Sequence, residues 1–432
     1  MNKVSLRKGA ASTRPAKSAR KLLVLDTNYT LEAIRERQIE QSITCRDLGG
    51  FFAHVWSVHP FATLVTSEEW GSRYGRPSVY KIAPRHTVIE AKVGRFESLR
   101  WFFTANFLLS QIGLFVRLAR LIRRERISVI RVASPLYVGL FGLALSRLCG
   151  IPLVIRVGGN HDKYFETTGR PMEPRLMRSR KIEKLVERFV FRRADLVAGA
   201  NQDNLNFALA NGARAERSTL FRYGNLVDSR HFVDPQERIK DDSALREVGV
   251  ERGEFLFYVG RLESIKQPDH VVEVLARVRS RGFDVKAVLA GEGRMLPELE
   301  QRARGLGVDR QIVFPGNLSQ GRLAQLLPAA AVVVSPHTGR ALTEAALAAA
   351  PVVAYDVDWQ SELIEDCSTG VLVPHGDVAA LADGVAALLA DADRAKRLGQ
   401  ALRARALDML DPEALDEHER SEYRKLLARV AR

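Results

Sequence analysis

Short, continuous apolar runs in the second half of the chain alternate with stretches of helical period. The runs fall at 255–260, 285–291, 312–316, 332–337, 352–355 and 371–374. Helical patterns at 269–281, 296–304, 321–327, 342–349 and 361–367 separate them. A strand that is apolar on both sides needs cover on both faces. Strands alternating with helices of this length predict an α/β fold with a doubly wound parallel sheet.

The first half repeats the theme less cleanly. Strands are predicted at 22–25, 61–65, 127–132, 153–157 and 196–199, with helices at 107–124 and 139–148. A polar stretch at 233–243 lacks an apolar period and reads as the linker. The 432 residues exceed one ordinary core. The expected organisation is a basic tail (1–20), an N-terminal Rossmann-like domain (21–230), a C-terminal Rossmann-like domain (231–411) and a last helix (412–432). That helix has no strand to cover in its own domain and is expected to cross back to the first.

Charge changes the picture in one respect. The net charge is +14, with six Lys/Arg and no acid in the first twenty residues and further excesses at 117–126 and 170–193. The tail lacks the apolar core of a secretion signal and reads as disordered. An anionic membrane surface or nucleic acid is the partner such charge calls for; nucleic acid has nothing but charge behind it and is not retained. The longest apolar run, 132–146, falls short of the ~20 residues that span a bilayer, so no transmembrane helix is expected and any membrane contact is peripheral. Cys45, Cys149 and Cys367 are odd in number and far apart. They form neither a disulfide framework nor a metal knuckle, which points to a reducing, cytoplasmic setting.

Candidate chemistry starts at FLFYVGRLESIK (255–266), where an apolar strand runs into Gly260-Arg261 and Lys266 precedes a helix. A guanidinium, an ammonium and backbone amides at the C-terminal edge of a parallel sheet suit a diphosphate, both bound and leaving. Gly291-Glu292-Gly293 follows the next strand but lacks the third glycine of a dinucleotide fingerprint. Those glycines either let backbone approach a phosphate or base, or turn the chain. In 335–356, a strand ends at Thr338-Gly339 and a helix begins whose N-terminus can receive a phosphate. Glu344, in its first turns, can accept from a ribose diol. Asp356-Val357-Asp358 has the DxD spelling of Mn²⁺ sites, but three residues recur by chance, and no metal is assigned. In the first half, RVGGNHD (156–162) places Gly158, Gly159 and His161 after a strand. His161 reads as a substrate ligand or base, with Asp162 or another carboxylate orienting it; a plain polar loop residue is the alternative. Asp26 and Asn28 leave the first strand, and Arg46, Asp47, His54 and His59 are candidates to line an acceptor pocket.

The motifs VGRLESIK (259–266), LAGEGR (289–294), VFPGNLS (313–319), TEAALAAAPVVA (343–354) and SELIEDCSTGVLVPHGD (361–377) resemble the retaining nucleotide-sugar glycosyltransferases of family 4. They occur in that family's order over some 120 residues. Residues 194–200 and Asn225-Leu226-Val227-Asp228 are similar to its closing strand and interdomain turn. The resemblance implies a GT-B fold, two such domains facing across a cleft. It implies that Arg261 and Lys266 bind the donor diphosphate and Glu344 its ribose, with the sugar in the cleft. The donor is a nucleotide-diphosphate sugar of UDP or GDP type, with no separate cofactor or metal. The acceptor is a glycan, expected to be lipid-linked, in cell-envelope or exopolysaccharide assembly. Two departures stand out. Where the family carries a further glutamate, this chain has Pro336, in a turn one residue shorter, so His337 or Arg340 takes its place or activity is lost. Gly158 stands where many members have a histidine, and His161 is the candidate substitute. A non-catalytic binding protein on the same scaffold therefore stays open, whereas the glycine pattern argues against an NAD oxidoreductase.

Overall fold

A computed structural model describes residues 19–36, 39–67, 72–222, 227–337 and 339–430. Fourteen strands among them build two sheets. The first comprises β1 (Lys21–Leu25), β2 (His54–His59), β3 (Ser78–Ala83), β4 (His86–Glu90), β5 (Val129–Val132), β6 (Leu153–Val157), β7 (Leu196–Gly199) and β8 (Ser218–Leu220). The second comprises β9 (Phe255–Val259), β10 (Lys286–Ala290), β11 (Ile312–Val313), β12 (Val332–Ser335), β13 (Val352–Asp356) and β14 (Val371–Pro374).

Both sheets are doubly wound. The first runs β3-β4-β2-β1-β5-β6-β7-β8 and the second β11-β10-β9-β12-β13-β14. Every pairing is parallel except β3 with β4. In each sheet the order reverses once, between β1 and β5 and between β9 and β12. Chain connections leave such a point in opposite directions and open a crevice there. The alternation of Leu256/Tyr258 with Phe255/Phe257 feeds one apolar cluster on each side of the second sheet, which is why these strands are apolar throughout.

Several expected elements are displaced. The strand placed at 61–65 lies instead at β2, because Pro60 cannot donate to a ladder, and Ala62–Leu64 is a short 3-10 turn. The hairpin of β3 and β4 and the short β8 were not foreseen. The stretch 233–243 is no free linker. Its helix Pro235–Arg238 docks on the second domain through the buried Arg238 side chain, which donates to the carbonyls of Leu347 at 2.8 Å and Ala324 at 3.3 Å. Asn225 and Leu226, read as part of the interdomain turn, lie outside the described residues, as do residues 1–18 of the tail.

The last helix, Pro412–Val430, crosses back to the first domain. Tyr423 is fully buried against Phe52 and Phe221, at ring-centroid distances of 5.0 and 5.9 Å. With Leu426 it covers the face formed by Leu22, Val24, Val129 and Val154. The buried Glu419 accepts from Arg131 of β5 at 2.9 Å. Helices Phe103–Glu125, Tyr137–Cys149, Arg180–Phe191 and Gln202–Ala210 contribute to the cluster on the opposite face. Contrary to the expectation that no stretch qualifies, Phe103–Glu125 is long and apolar enough to cross a membrane by length and composition. Here Ser110, Gln111, Leu114 and Leu118 turn inward as part of the domain.

Arg131→Ala would take the guanidinium from the buried Glu419 carboxylate, at an expected cost of about 3–5 kcal/mol in denaturant unfolding of the first domain. The double variant Arg131→Met/Glu419→Leu is expected to recover most of that loss. Equal destabilisation by the two would show that the ion pair is not what fastens the helix.

Candidate active site

The second sheet's reversal point carries the strongest cluster. β9 ends at Gly260-Arg261, the chain turns through Ser264–Lys266, and Pro268 opens helix Pro268–Ser280. Gln267 between them holds a left-handed φ of +50°, an unfavourable conformation for a non-glycine residue that the closure of this turn imposes. The Tyr258 hydroxyl, rooted in the core, donates to the Arg261 carbonyl at 3.0 Å, with the Lys266 carbonyl at 3.4 Å. The backbone carrying both cations is thus pinned to the sheet. Among the described residues no carboxylate lies within ion-pair distance of Arg261 or Lys266. Burial pushes the Lys266 ammonium down to about 8, against the pull of Asp358, with Arg261 pushing the same way as burial. A half-buried cation held at such cost, with no carboxylate in ion-pair distance among the described residues, is poised for an anionic ligand.

Gly291 and Gly293 turn out to serve loop packing. A Cβ on Gly291 would sit 1.9 Å from the Gly260 carbonyl oxygen, and one on Gly293 2.1 Å from that of Leu262. The two loops are laced by Gly260 N–H to Ala290 O at 3.0 Å, Leu262 N–H to Glu292 O at 2.9 Å and Met295 N–H to Leu262 O at 3.0 Å. The glycines therefore fix where Arg261 stands.

Across the crevice, β12 leads into Pro336-His337. The buried His337 ring binds the Ile265 carbonyl through Nδ1 at 2.7 Å and the Asp358 carboxylate through Nε2. Both partners are acceptors, which is satisfied only when both ring nitrogens carry hydrogen. Burial would raise the Asp358 carboxyl, but His337 outweighs it and holds Asp358 below the usual carboxylate range. Asp358 is committed to that bridge, and among the described residues no His/Cys/Asp/Glu cluster could hold a metal ion.

Glu344 lies in helix Arg340–Leu347, one residue further into it than a start at Ala341 would give. It is 2% exposed, and its Oε1 lacks an aligned hydrogen-bond partner although Arg340 Nε lies at 3.3 Å. A buried carboxylate oxygen that faces a guanidinium without an aligned hydrogen bond keeps accepting capacity that a ligand hydroxyl can use. Arg340 also donates to the Ser42 hydroxyl of the first domain at 3.1 Å. Gly339 caps the helix start with open space beside it; Thr338 lies outside the described residues.

From the first domain, the helix His161–Thr168 packs against the Ser264–Lys266 turn. Asn160 caps it, accepting from the Asp162 and Lys163 amides. His161 is buried, and its Nδ1 meets Glu187 at 2.7 Å. The orienting carboxylate is therefore Glu187 and not Asp162, which Arg180, Lys184 and Asn211 hold instead. Burial would raise Glu187, but hydrogen bonds from His161 and Arg180 keep it ionised below its ordinary range. An ionised Glu187 can only accept, so Nδ1 carries the proton and Nε2 is left for other partners. Gly158 and Gly159 form the short turn between β6 and this helix, Gly159 with nothing beside it.

The expected acceptor-side residues are largely spoken for. Arg46 is buried in an ion pair with Asp26 and donates to Ser57 at 2.9 Å. Asp26 also accepts from the Asn28 amide at 2.8 Å. Together they close the reversal point of the first sheet and present no free charge to a ligand. His59 is buried; its Nδ1 accepts from the Phe61 amide, and Nε2 has no hydrogen-bond partner among the described residues. Burial drives its imidazole down to about 4. His54 meets Thr87 at 2.9 Å, and Asp47 lies 3.5 Å from Arg85 and 3.6 Å from His86.

Sequence reasoning missed Glu362. Its carboxylate accepts from the Gln202 and Asp203 amides at 2.6 and 3.3 Å and pairs with Arg222 at 2.9 Å. A residue of the second domain thereby caps a helix of the first. Nothing in an SEL tripeptide signals a partner 160 residues away.

With this geometry in place, residues 27–224 match the family model described as glycosyl transferase 4-like domain, and residues 241–405 the one described as glycosyl transferases group 1. The chain belongs to the group 1 glycosyltransferases. Its two facing Rossmann-like domains are the GT-B fold. An alpha-D-kanosaminyltransferase of Streptomyces kanamyceticus is 26% identical over 260 residues, covering 59% of this chain and 66% of the relative. A D-inositol 3-phosphate glycosyltransferase of Nocardia farcinica is 33% identical over 209 residues, 44% of this chain and 46% of the relative. The chain thus spans about half to two thirds of these relatives. The structure of Anabaena HepE in complex with UDP and glucose superposes with a TM-score of 0.70 at 19% identity, over 94% of this chain and 100% of that one; at that identity the likeness speaks for fold alone.

A diphosphate bound here would favour the charged ammonium of Lys266. Nucleotide affinity is therefore expected to hold steady below pH 8 and to fall as pH rises above it. Titration calorimetry across that range checks this, with Lys266→Arg removing the fall. A flat profile in the parent protein would take Lys266 out of the site.

Proposed function

We propose that this protein transfers a sugar from a nucleotide-diphosphate donor to a hydroxyl acceptor with retention of configuration. The observation that carries this reading is a half-buried, unpaired Lys266 beside Arg261 at the reversal point of the second sheet, opposite the unsatisfied carboxylate oxygen of Glu344. Arg261 and Lys266 hold the diphosphate and stabilise the charge that builds as it leaves. Glu344 accepts from the ribose diol, and no metal is called on. The reacting sugar sits between the domains, with His161, its tautomer fixed by Glu187, on the opposite wall. His337, bridging Ile265 to Asp358, keeps the Lys266 turn in place. The second-half motifs that resemble the nucleotide-sugar transferases support a UDP- or GDP-type donor. The acceptor is a lipid-linked glycan met at the cytoplasmic face of a membrane, in cell-envelope or exopolysaccharide synthesis. Support for that comes from the basic first half. A second reading, a non-catalytic nucleotide-binding partner of another transferase, is favoured by Pro336 alone.

A thermal-shift screen of UDP, GDP and ADP should single out one nucleotide, since a ligand at a hundred times its dissociation constant adds about 2.7 kcal/mol. Lys266→Ala is expected to lower kcat/KM for the matching donor by about 100–1000-fold with the fold intact. Glu344→Gln should weaken donor binding by about 10–100-fold. Retention is read from the product's anomeric proton coupling. Nucleotide binding without transfer or donor hydrolysis would select the second reading.

A further inference from the structure

We propose that the outer face formed by helices Phe103–Glu125 and Arg180–Phe191 is a docking surface for an anionic phospholipid bilayer. It sharpens the lipid-acceptor part of the reading above, while standing apart from the donor chemistry.

The observation behind it is an inverted helix. Up to Phe189 the helix Arg180–Phe191 buries Arg180, Glu183 and Glu187 and exposes Ile182, Leu185 and Phe189, with Leu185 70% exposed, before Val190 and Phe191 turn into the core. An ordinary surface helix does the reverse. Its charged residues satisfy one another inside, as Arg180 pairs with Glu183 at 3.1 Å and Glu187 at 2.7 Å. The outward apolar row is flanked by Lys181, Lys184 and Arg188.

Phe103–Glu125 repeats the arrangement independently. Leu108, Leu109, Ile112 and Val116 form an exposed row at helical spacing, preceded by Trp101, 80% exposed, and Phe102. Arg117, Arg120 and Arg124 follow it. With Arg76 and Arg95 these three line a groove of about 610 Å³ against the hairpin of β3 and β4, on the outside of the domain. Among the described residues no carboxylate pairs with Arg76, Arg95, Arg117 or Arg120. The two helices pack on either side of Tyr137–Cys149, whose Leu148 is also exposed.

Charge selects the occupant. The only acid in Phe103–Glu125 is Glu125, and both acids of Arg180–Phe191 are buried. The outward face thus combines aromatic and aliphatic side chains with an excess of cations; Lys184 pairs with Asp162 and Arg124 with Glu125, while Arg117 and Arg120 meet no carboxylate among the described residues. That is the composition that settles at the headgroup level of an anionic leaflet. A duplex nucleic acid would use the arginines but give the apolar rows no partner.

Cosedimentation of the full chain with phosphatidylcholine vesicles, with and without phosphatidylglycerol, tests this. Binding is expected only with the anionic lipid, to weaken with salt, and to blue-shift emission from Trp101, a shift that Trp101→Phe diminishes. Arg117→Ala and Arg120→Ala should each weaken partition about fivefold, and Leu185→Ser should weaken it without changing the salt slope. Circular dichroism confirms that each variant folds. Equal binding to both vesicle types, no binding, or arginine variants that bind like the parent would overturn the proposal. So would duplex DNA binding in the absence of vesicle binding. Should no nucleotide stabilise the parent while anionic vesicles still capture it, the donor reading falls and this one stands.

Discussion

The strand-order reversal between β9 and β12 is the constraint on which the site depends. Among the described residues the loops after β9 and β12 share no backbone hydrogen bond, so something else must set their separation. Here it is His337, holding the backbone at Ile265 and the side chain of Asp358 at once. On the far flank, Gly291 and Gly293 let the β10 loop mesh with the β9 loop at distances no side chain would permit. Arg261 and Lys266 are therefore placed from both sides by groups that carry no ligand chemistry themselves.

That division explains what was legible in the sequence. The apolar strands of the second half announced themselves because two-sided burial leaves a continuous signature, and Gly260-Arg261 and Lys266 followed from where β9 ends. The first sheet was harder. Its hairpin ends the sheet with β3, a partly exposed strand that no run of buried residues marks. Pro60 moved a strand by several residues. His161 and Glu344 were recognisable as chemistry-bearing residues, but their partners were not. Glu187 lies 26 residues from His161 in sequence and Asp358 lies 21 from His337, pairings that depend on the fold. Asp26 and Arg46 looked like ligands because they are polar and lie near strand ends. Their mutual neutralisation appears only once β1 and the turn at Cys45–Asp47 are brought together.

The two domains differ in how they spend charge. The second keeps cations unpaired in a crevice, which suits a ligand that arrives and leaves. The first buries whole sets of opposite charges, Arg180 with Glu183, Glu187 and Asp162, and Arg131 with Glu419. Such sets cost desolvation and return geometry. In Arg180–Phe191 the geometry returned is a fixed His161 on the cleft side.

The return of helix Pro412–Val430 to the first sheet has a consequence for biosynthesis. One side of that sheet, Leu22, Val24, Val129 and Val154, acquires Tyr423 and Leu426 only after the whole of the second domain has been synthesised. Until then the nascent first domain carries an uncovered greasy face, while the second can close around its own residues. The domain translated first is thus the one completed last, its sheet face covered only once its neighbour has been made.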